Sequence, residues 1–115
     1  MINHHSNKDF QKILEGVHIK TLVLGKSTLM SEFKLSKNAV IPLHSHPYEQ
    51  TGYLISGKII LHIDDKKYEM KKGDSWCIHE NCPHLAEVRD DSVILEIFSP
   101  PRDDYKKYLD KDVII

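Results

Sequence analysis

A chain of 115 residues has room for one domain, since a single hydrophobic core typically closes at about 100–150 residues. Sixteen Lys and Arg against seventeen Asp and Glu leave a net charge of -1, which excludes a bulk electrostatic pull toward nucleic acid or anionic membrane. With 40% hydrophobic and 29% charged residues the composition is that of a folded globular protein, and two cysteines make no disulfide framework.

The N-terminal residues 1–9 carry no apolar stretch behind a basic start, and no run in the chain approaches the roughly 20 apolar residues of a membrane span. A soluble, cytoplasmic protein with neither nucleic-acid nor membrane partners is the expectation, with His4-His5 in a solvated terminus. Residues 7–14 suit a short helix. Val17–Leu24 then opens a series of short stretches rich in β-branched and aromatic residues. After the turn at Gly25-Lys26, residues 27–35 alternate, with Leu29, Ser31, Phe33 and Leu35 on one face. Residues 58–63 and 66–70 flank Asp64-Asp65 as a tight hairpin. Residues 71–74 turn again before a strand over 75–78. Residues 84–88 and 92–98 read as two strands joined by the charged turn Arg89-Asp90-Asp91.

This makes eight to ten strands in one all-β domain over residues 1–115, a sandwich or small barrel with its core over about 17–100. A helical tail is expected over 101–115. Tyr105, Tyr108 and Leu109 fall at helical spacing, Ser99 suits a cap, Pro100 and Pro101 a first turn, and Asp103-Asp104 the helix dipole.

Eight histidines stand out in this composition. His44 and His46, two residues apart on a strand, point to the same face and converge on one point. Gln50 follows at even spacing, and His84 comes after a turn and Pro83. A strand-borne His-x-His with a polar oxygen and a remote His provides the donors for one divalent transition metal, with nickel, zinc, iron and manganese all suited. The odd spacing of Glu49 turns it away from that face.

Residues 44–57, His-Ser-His-Pro-Tyr-Glu-Gln-Thr-Gly-Tyr-Leu-Ile-Ser-Gly, resemble the first cupin motif, and residues 73–84 resemble the second. The resemblance implies a double-stranded β-helix, or jelly-roll barrel, with a metal held inside by His44, His46, Gln50 and His84. Gln50 stands where the family usually has Glu, and His79-Glu80-Asn81 where it usually has Pro-x-Gly. An amide leaves the site one charge more positive than a carboxylate, which favours Lewis-acid work over oxygen chemistry. The alternative is that Gln50 only hydrogen-bonds and three histidines hold the metal.

Residues 93–98, Val-Ile-Leu-Glu-Ile-Phe, contain one charge in an apolar run. An ionised carboxylate is costly to bury unpaired, so Glu96 either finds a cation or takes a raised pKa, and both suit an acid–base group. The plain alternative is a structural ion pair. The run Glu96-Ile-Phe98-Ser-Pro-Pro-Arg102 resembles the C-terminal signature of the small KdgF-type cupins of pectin and alginate breakdown, which linearise 4,5-unsaturated uronates. That resemblance implies catalytic roles for Glu96, Phe98 and Arg102: the acid moves a proton, Arg102 holds the substrate carboxylate, and Phe98 forms an apolar wall. Glu96 is one methylene longer than the Asp of that signature. For Arg102 the alternative is a solvent-exposed residue beside Asp103 and Asp104.

Trp76 and Tyr53 read as core or barrel-lining aromatics, and Tyr48 as a residue near the mouth. Cys77 and Cys82 read as small buried residues. His18, His62 and His79 have no convergent partner in the sequence. The expected protein is thus a metal-binding cupin acting on a small acidic sugar derivative, as a homodimer in which Val17–Leu24 pairs across an interface. The alternatives are a non-haem iron dioxygenase and a non-catalytic module that binds a small anion.

Overall fold

The computed structural model describes all 115 residues. Its strands are β1 (Gln11–Leu14), β2 (Val17–Leu24), β3 (Leu29–Leu35), β4 (Val40–His44), β5 (Glu49–Ile63), β6 (Lys66–Lys71), β7 (Ser75–Ile78) and β8 (His84–Ser99). All pairings among them are antiparallel. A 3-10 helix, Asp103–Tyr108, follows β8. No helix is long and apolar enough to cross a membrane.

The long strands β5 and β8 run side by side through both halves of the molecule and carry the rest. The first half of β5 lies between β7 and the end of β8, with Gln50 opposite Ile78 on one side and Phe98 on the other. Its second half lies between β6 and the start of β8, with Ile63 opposite Lys66 and His84. β3, β2 and β1 extend the first half outward and β4 extends the second. The bend between the halves is visible as register shifts between Leu54 and Ile59. Gly57 sits there at a φ of 96°, where a Cβ would lie 2.1 Å from Ser92 Oγ. That hydroxyl accepts from Lys58 N at 3.1 Å and donates to Asp90 O at 2.7 Å, so a serine satisfies the backbone where the ladder breaks. Residues 89–91 are therefore an exposed bend inside one strand and not the turn between two strands that their charge suggests.

Period-2 alternation decides what faces inward. Leu29, Ser31, Phe33 and Leu35 of β3 are all buried. Leu54, Ile59, Leu61, Ala86, Val88 and Ile94 of β5 and β8 join Phe33 and Leu35 in the core between the two halves. Each such leucine, isoleucine or valine side chain contributes about 1.5–3 kcal/mol by leaving water. The same inward face of the same two strands then continues into polar residues: Gln50 on β5, and His84 and Glu96 on β8. The site is an extension of the core face with its chemistry changed.

The ends differ from the sequence expectation. Residues 7–14 form no helix; β1 pairs with β2, Gln11 opposite Ile19, and the chain before it is extended. The reason is Lys20, 1% exposed, whose ammonium donates to the carbonyls of Ser6 and Lys8 at 2.8 and 3.1 Å. A helix would consume those carbonyls. The ammonium also lies 3.4 Å from Asp110 Oδ2, and Asn3 Nδ2 donates to the same carboxylate oxygen at 3.0 Å. Ile2 bridges Ile114, so the terminus around the exposed His4 and His5 is tied down. The tail is helical only over Asp103–Tyr108, because Leu109 turns out to bridge Thr21 beside β2. Arg102 takes the N-cap position without a side-chain cap, and Ser99 Oγ donates to Ser27 O instead.

Candidate metal and acid–base site

His44 ends β4, and His84, opposite it in register, begins β8; His46 lies in the loop before β5. Their ring centroids are 5.5 Å (His44–His46), 4.1 Å (His44–His84) and 5.0 Å (His46–His84) apart. One nitrogen from each falls within 4.8 Å of the others. Each Nδ1 donates to a nearby backbone carbonyl: His44 to Pro42 at 2.7 Å, His46 to Tyr48 at 3.1 Å, His84 to Cys82 at 2.8 Å. This fixes the tautomer and leaves each Nε2 with a lone pair.

Two observations test whether a metal fits. His84 Nε2 is buried with no hydrogen-bond partner. His46 Nε2 and Gln50 Oε1, both acceptors in this arrangement, lie 2.9 Å apart. Acceptors that converge with no proton between them are what a divalent cation satisfies, and imidazole with an amide oxygen is a donor set suited to first-row metals. The residues fit the group. Burial, which disfavours the charged ring, lowers His84 to about 4 and also lowers His46, where Arg102 adds to the effect; both rings are neutral and free to ligate at pH 7.

The acid lies next to this cluster. Glu96 is 4% exposed and sits across β5 from Trp76, the two flanking Gly52 in register. Burial pushes its pKa up to about 8, opposed by hydrogen bonding toward Gln50 and Trp76 and by the charge of Arg102. Burial thus favours the protonated carboxyl, the form that can donate a proton. A Cβ on Gly52 would lie 2.2 Å from Trp76 Cε2 and Nε1, so the indole occupies the space that a glycine leaves open.

Phe98, 2% exposed, meets His46 and Tyr105 edge-on, with ring centroids 5.9 and 5.4 Å apart. The guanidinium of Arg102 stacks 3.9 Å from the centroid of Tyr105 and 5.2 Å from that of Phe98. Its Nε and Nη2 donate to the two carboxylate oxygens of Asp104 at 2.9 and 3.2 Å. With its side chain 13% exposed, Arg102 is not the solvated residue of the plain reading, although Asp104 is indeed its neighbour. His44, Gln50, His84, Glu96, Phe98 and Arg102 line a single cavity of about 180 Å3 whose remaining wall is mostly apolar. His46 meets it through Gln50.

The glutamate at 49 is exposed and turned away, as its spacing predicts. Tyr48 lies at the rim, where its hydroxyl accepts from Asp103 N at 3.4 Å. Trp76 is buried and lines the cavity, but its proximity to Glu96 was beyond sequence reasoning; the signal was Gly52 in an otherwise bulky strand. Tyr105, half-buried beneath the guanidinium of Arg102 with its hydroxyl pushed up to about 12 by burial, is marked in the sequence only by its helical spacing. Cys77 is exposed and Cys82 half-buried, against the expectation of buried thiols, because Cys77 takes the outward register of β7. His62 does have a partner, Glu87, at 2.7 Å.

A two-halved antiparallel barrel with three clustered histidines beside its inner cavity defines a class. Residues 31–99 match the cupin domain model, and the chain belongs to the cupin family. Within it, the chain is similar to the pectin degradation protein KdgF of Dickeya dadantii (strain 3937), with 24% identity over 98 residues, 84% of this chain and 89% of that one. The structure of KdgF from Halomonas sp. superposes with a TM-score of 0.86 at 24% identity, covering 90% of this chain and 96% of that one. An RmlC-like cupin from Shewanella frigidimarina NCIMB 400 reaches the same TM-score at 20% identity, covering 90% and 94%.

Proposed function

We propose that this cupin is a metal-dependent enzyme that converts a small 4,5-unsaturated uronate to its open-chain keto form. The observation that supports it is the meeting, in one cavity, of a buried acid, an aromatic-stacked arginine and two members of a three-histidine cluster, His44 and His84. The similarity to the pectin degradation protein favours an acidic sugar derivative as substrate.

Each residue has a role that its surroundings allow. Arg102 pairs with the uronate carboxylate through the guanidinium edge that Asp104 leaves free, and its stacking on Tyr105 fixes the plane of the fork. Phe98 closes the apolar side of the sugar. A divalent metal held by His44, His46, Gln50 and His84 supplies Lewis-acid polarisation of a substrate oxygen. Glu96 delivers its proton to C4 of the double bond, and water adds at C5 while the carboxylate takes up a proton from that water. The hemiketal then opens to the ketone as the C5–ring-oxygen bond breaks, and the ring oxygen leaves as a hydroxyl on C1. The C1 hydrate loses water to give the aldehyde, so no net water is consumed and Glu96 is restored.

The test is optical. Metal-loaded protein added to a 4,5-unsaturated monouronate removes the ultraviolet absorbance of the conjugated double bond. Unchanged absorbance with metal bound contradicts the reading for that substrate.

A further inference from the structure

The outward faces of β5 and β7 bring together a second group of donors, on the back of the strands that carry the interior site. Alternation that turns Gln50 and Ile78 inward turns Glu49 and Cys77 outward, and His79 follows Cys77 by two residues. Glu49 adjoins Gln50, which pairs with Ile78, so it faces the end of β7 where His79 lies. One atom each from the Glu49 carboxylate, the Cys77 thiol and the His79 imidazole lies within 4.8 Å of the other two. All three residues are exposed, and no salt bridge engages Glu49 or His79.

We infer that Glu49, Cys77 and His79 form a second metal site, on the outer surface of the barrel, for a borderline-soft divalent cation such as Zn2+. The donor set selects the ion. A thiolate with an imidazole discriminates against Mg2+ and Ca2+, which take oxygen ligands, and a carboxylate completes a three-donor set with water as the fourth ligand. In a tetrahedral zinc site, donor atoms stand about 3.3–3.6 Å apart, given bonds of about 2.0–2.3 Å. Exposed side chains reach that spacing from 4.8 Å by rotamer adjustment, with no movement of the paired strands. Binding deprotonates the thiol and releases its proton to solvent. Partial burial, and then the nearby Glu49 carboxylate, raise the pKa of Cys77, so without a cation the thiol stays protonated. The bound ion ties β7 to β5 at the edge of the sheet.

The interior cluster is built from nitrogen and amide oxygen, so a thiolate–metal signal distinguishes the outer site from it. Co2+ is added to the reduced protein and the near-ultraviolet thiolate-to-cobalt charge-transfer band is recorded. The band is expected in the wild type and in His84→Ala, which damages only the interior cluster. It is expected to disappear in Cys77→Ser, to weaken in His79→Ala, and to be unchanged in Cys82→Ser. Absence of the band in the wild type, or its survival in Cys77→Ser, overturns the inference. Both cysteine variants remain readable because circular dichroism of these exposed and half-buried positions reports folding independently.

Discussion

Trp76 and Glu96 flank Gly52 on neighbouring strands, and the missing side chain at position 52 lets the indole lean over β5 toward the carboxyl group. Trp76 Nε1 and Glu96 Oε2 are both buried without a hydrogen-bond partner, an N–H donor and a carboxyl acceptor on either side of Gly52. The carboxyl lines the cavity together with Trp76, Gln50, His44 and His84.

Trp76→Phe keeps the packing and removes the N–H. A hydrogen bond between neutral groups contributes about 0.5–1.5 kcal/mol, so turnover of the uronate is expected to fall roughly 2- to 12-fold with KM little changed. Steady-state kinetics on the folded variant check this. Gly52→Ala is expected to act in the same direction by displacing the indole.

Arg102→Lys keeps the charge but loses the planar fork that lies on Tyr105 and pairs with Asp104. The main expected effect is a KM for the uronate raised about tenfold or more, with a smaller loss in kcat. An equal fall in kcat and kcat/KM would instead place Arg102 in the chemical step.

Metal added in excess is expected to stabilise the fold, by binding the native arrangement of His44, His46, Gln50 and His84 in preference to the unfolded chain. At 100 times its Kd the gain is about 2.7 kcal/mol, read as a rise in Tm. The rise is expected to be much reduced in His84→Ala and reversed by a chelator in the wild type.

The clasp between the chain ends carries a pH dependence whose sign is fixed. The Asp110 pKa is lowered, chiefly by the Asp112 backbone N–H and then by Asn3 and Lys20. A depressed folded-state pKa means that the unfolded chain binds the proton first. The stabilisation is therefore present above the unfolded value of about 3.9 and is lost as pH falls through the folded value. Urea unfolding at pH 7 and near pH 3 is expected to show a drop in stability that Asp110→Asn lacks. That variant is also weaker at pH 7, since it leaves the ammonium of Lys20 buried without its counter-charge.

Much of this site was legible in the sequence because strand alternation is a short-range rule. Alternation turns Gln50 inward on β5 and sets Glu96 apart as the lone charge in an apolar run, whereas His46 joins His44 from the loop between β4 and β5 and not from one continuous strand. What alternation does not encode is which strands are neighbours. Trp76 faces Glu96 only because β7 and β8 both pair with β5, and Glu49 meets His79 for a related reason. Two of the departures from the expected secondary structure have tertiary causes as well. Residues 7–14 look helical until the buried Lys20 claims the carbonyls of Ser6 and Lys8. Residues 89–91 look like a turn because a strand that bends between two half-sheets exposes its backbone there and takes polar side chains.

The central claim is that Glu96 moves the proton while the histidine cluster holds the metal. It is tested most directly by comparing wild type and Glu96→Gln, matched for metal content, for loss of ultraviolet absorbance from a 4,5-unsaturated uronate. The account predicts rapid loss with the wild type and none with Glu96→Gln at the same bound metal. Equal rates in the two proteins, or no loss with the metal-loaded wild type, would contradict it.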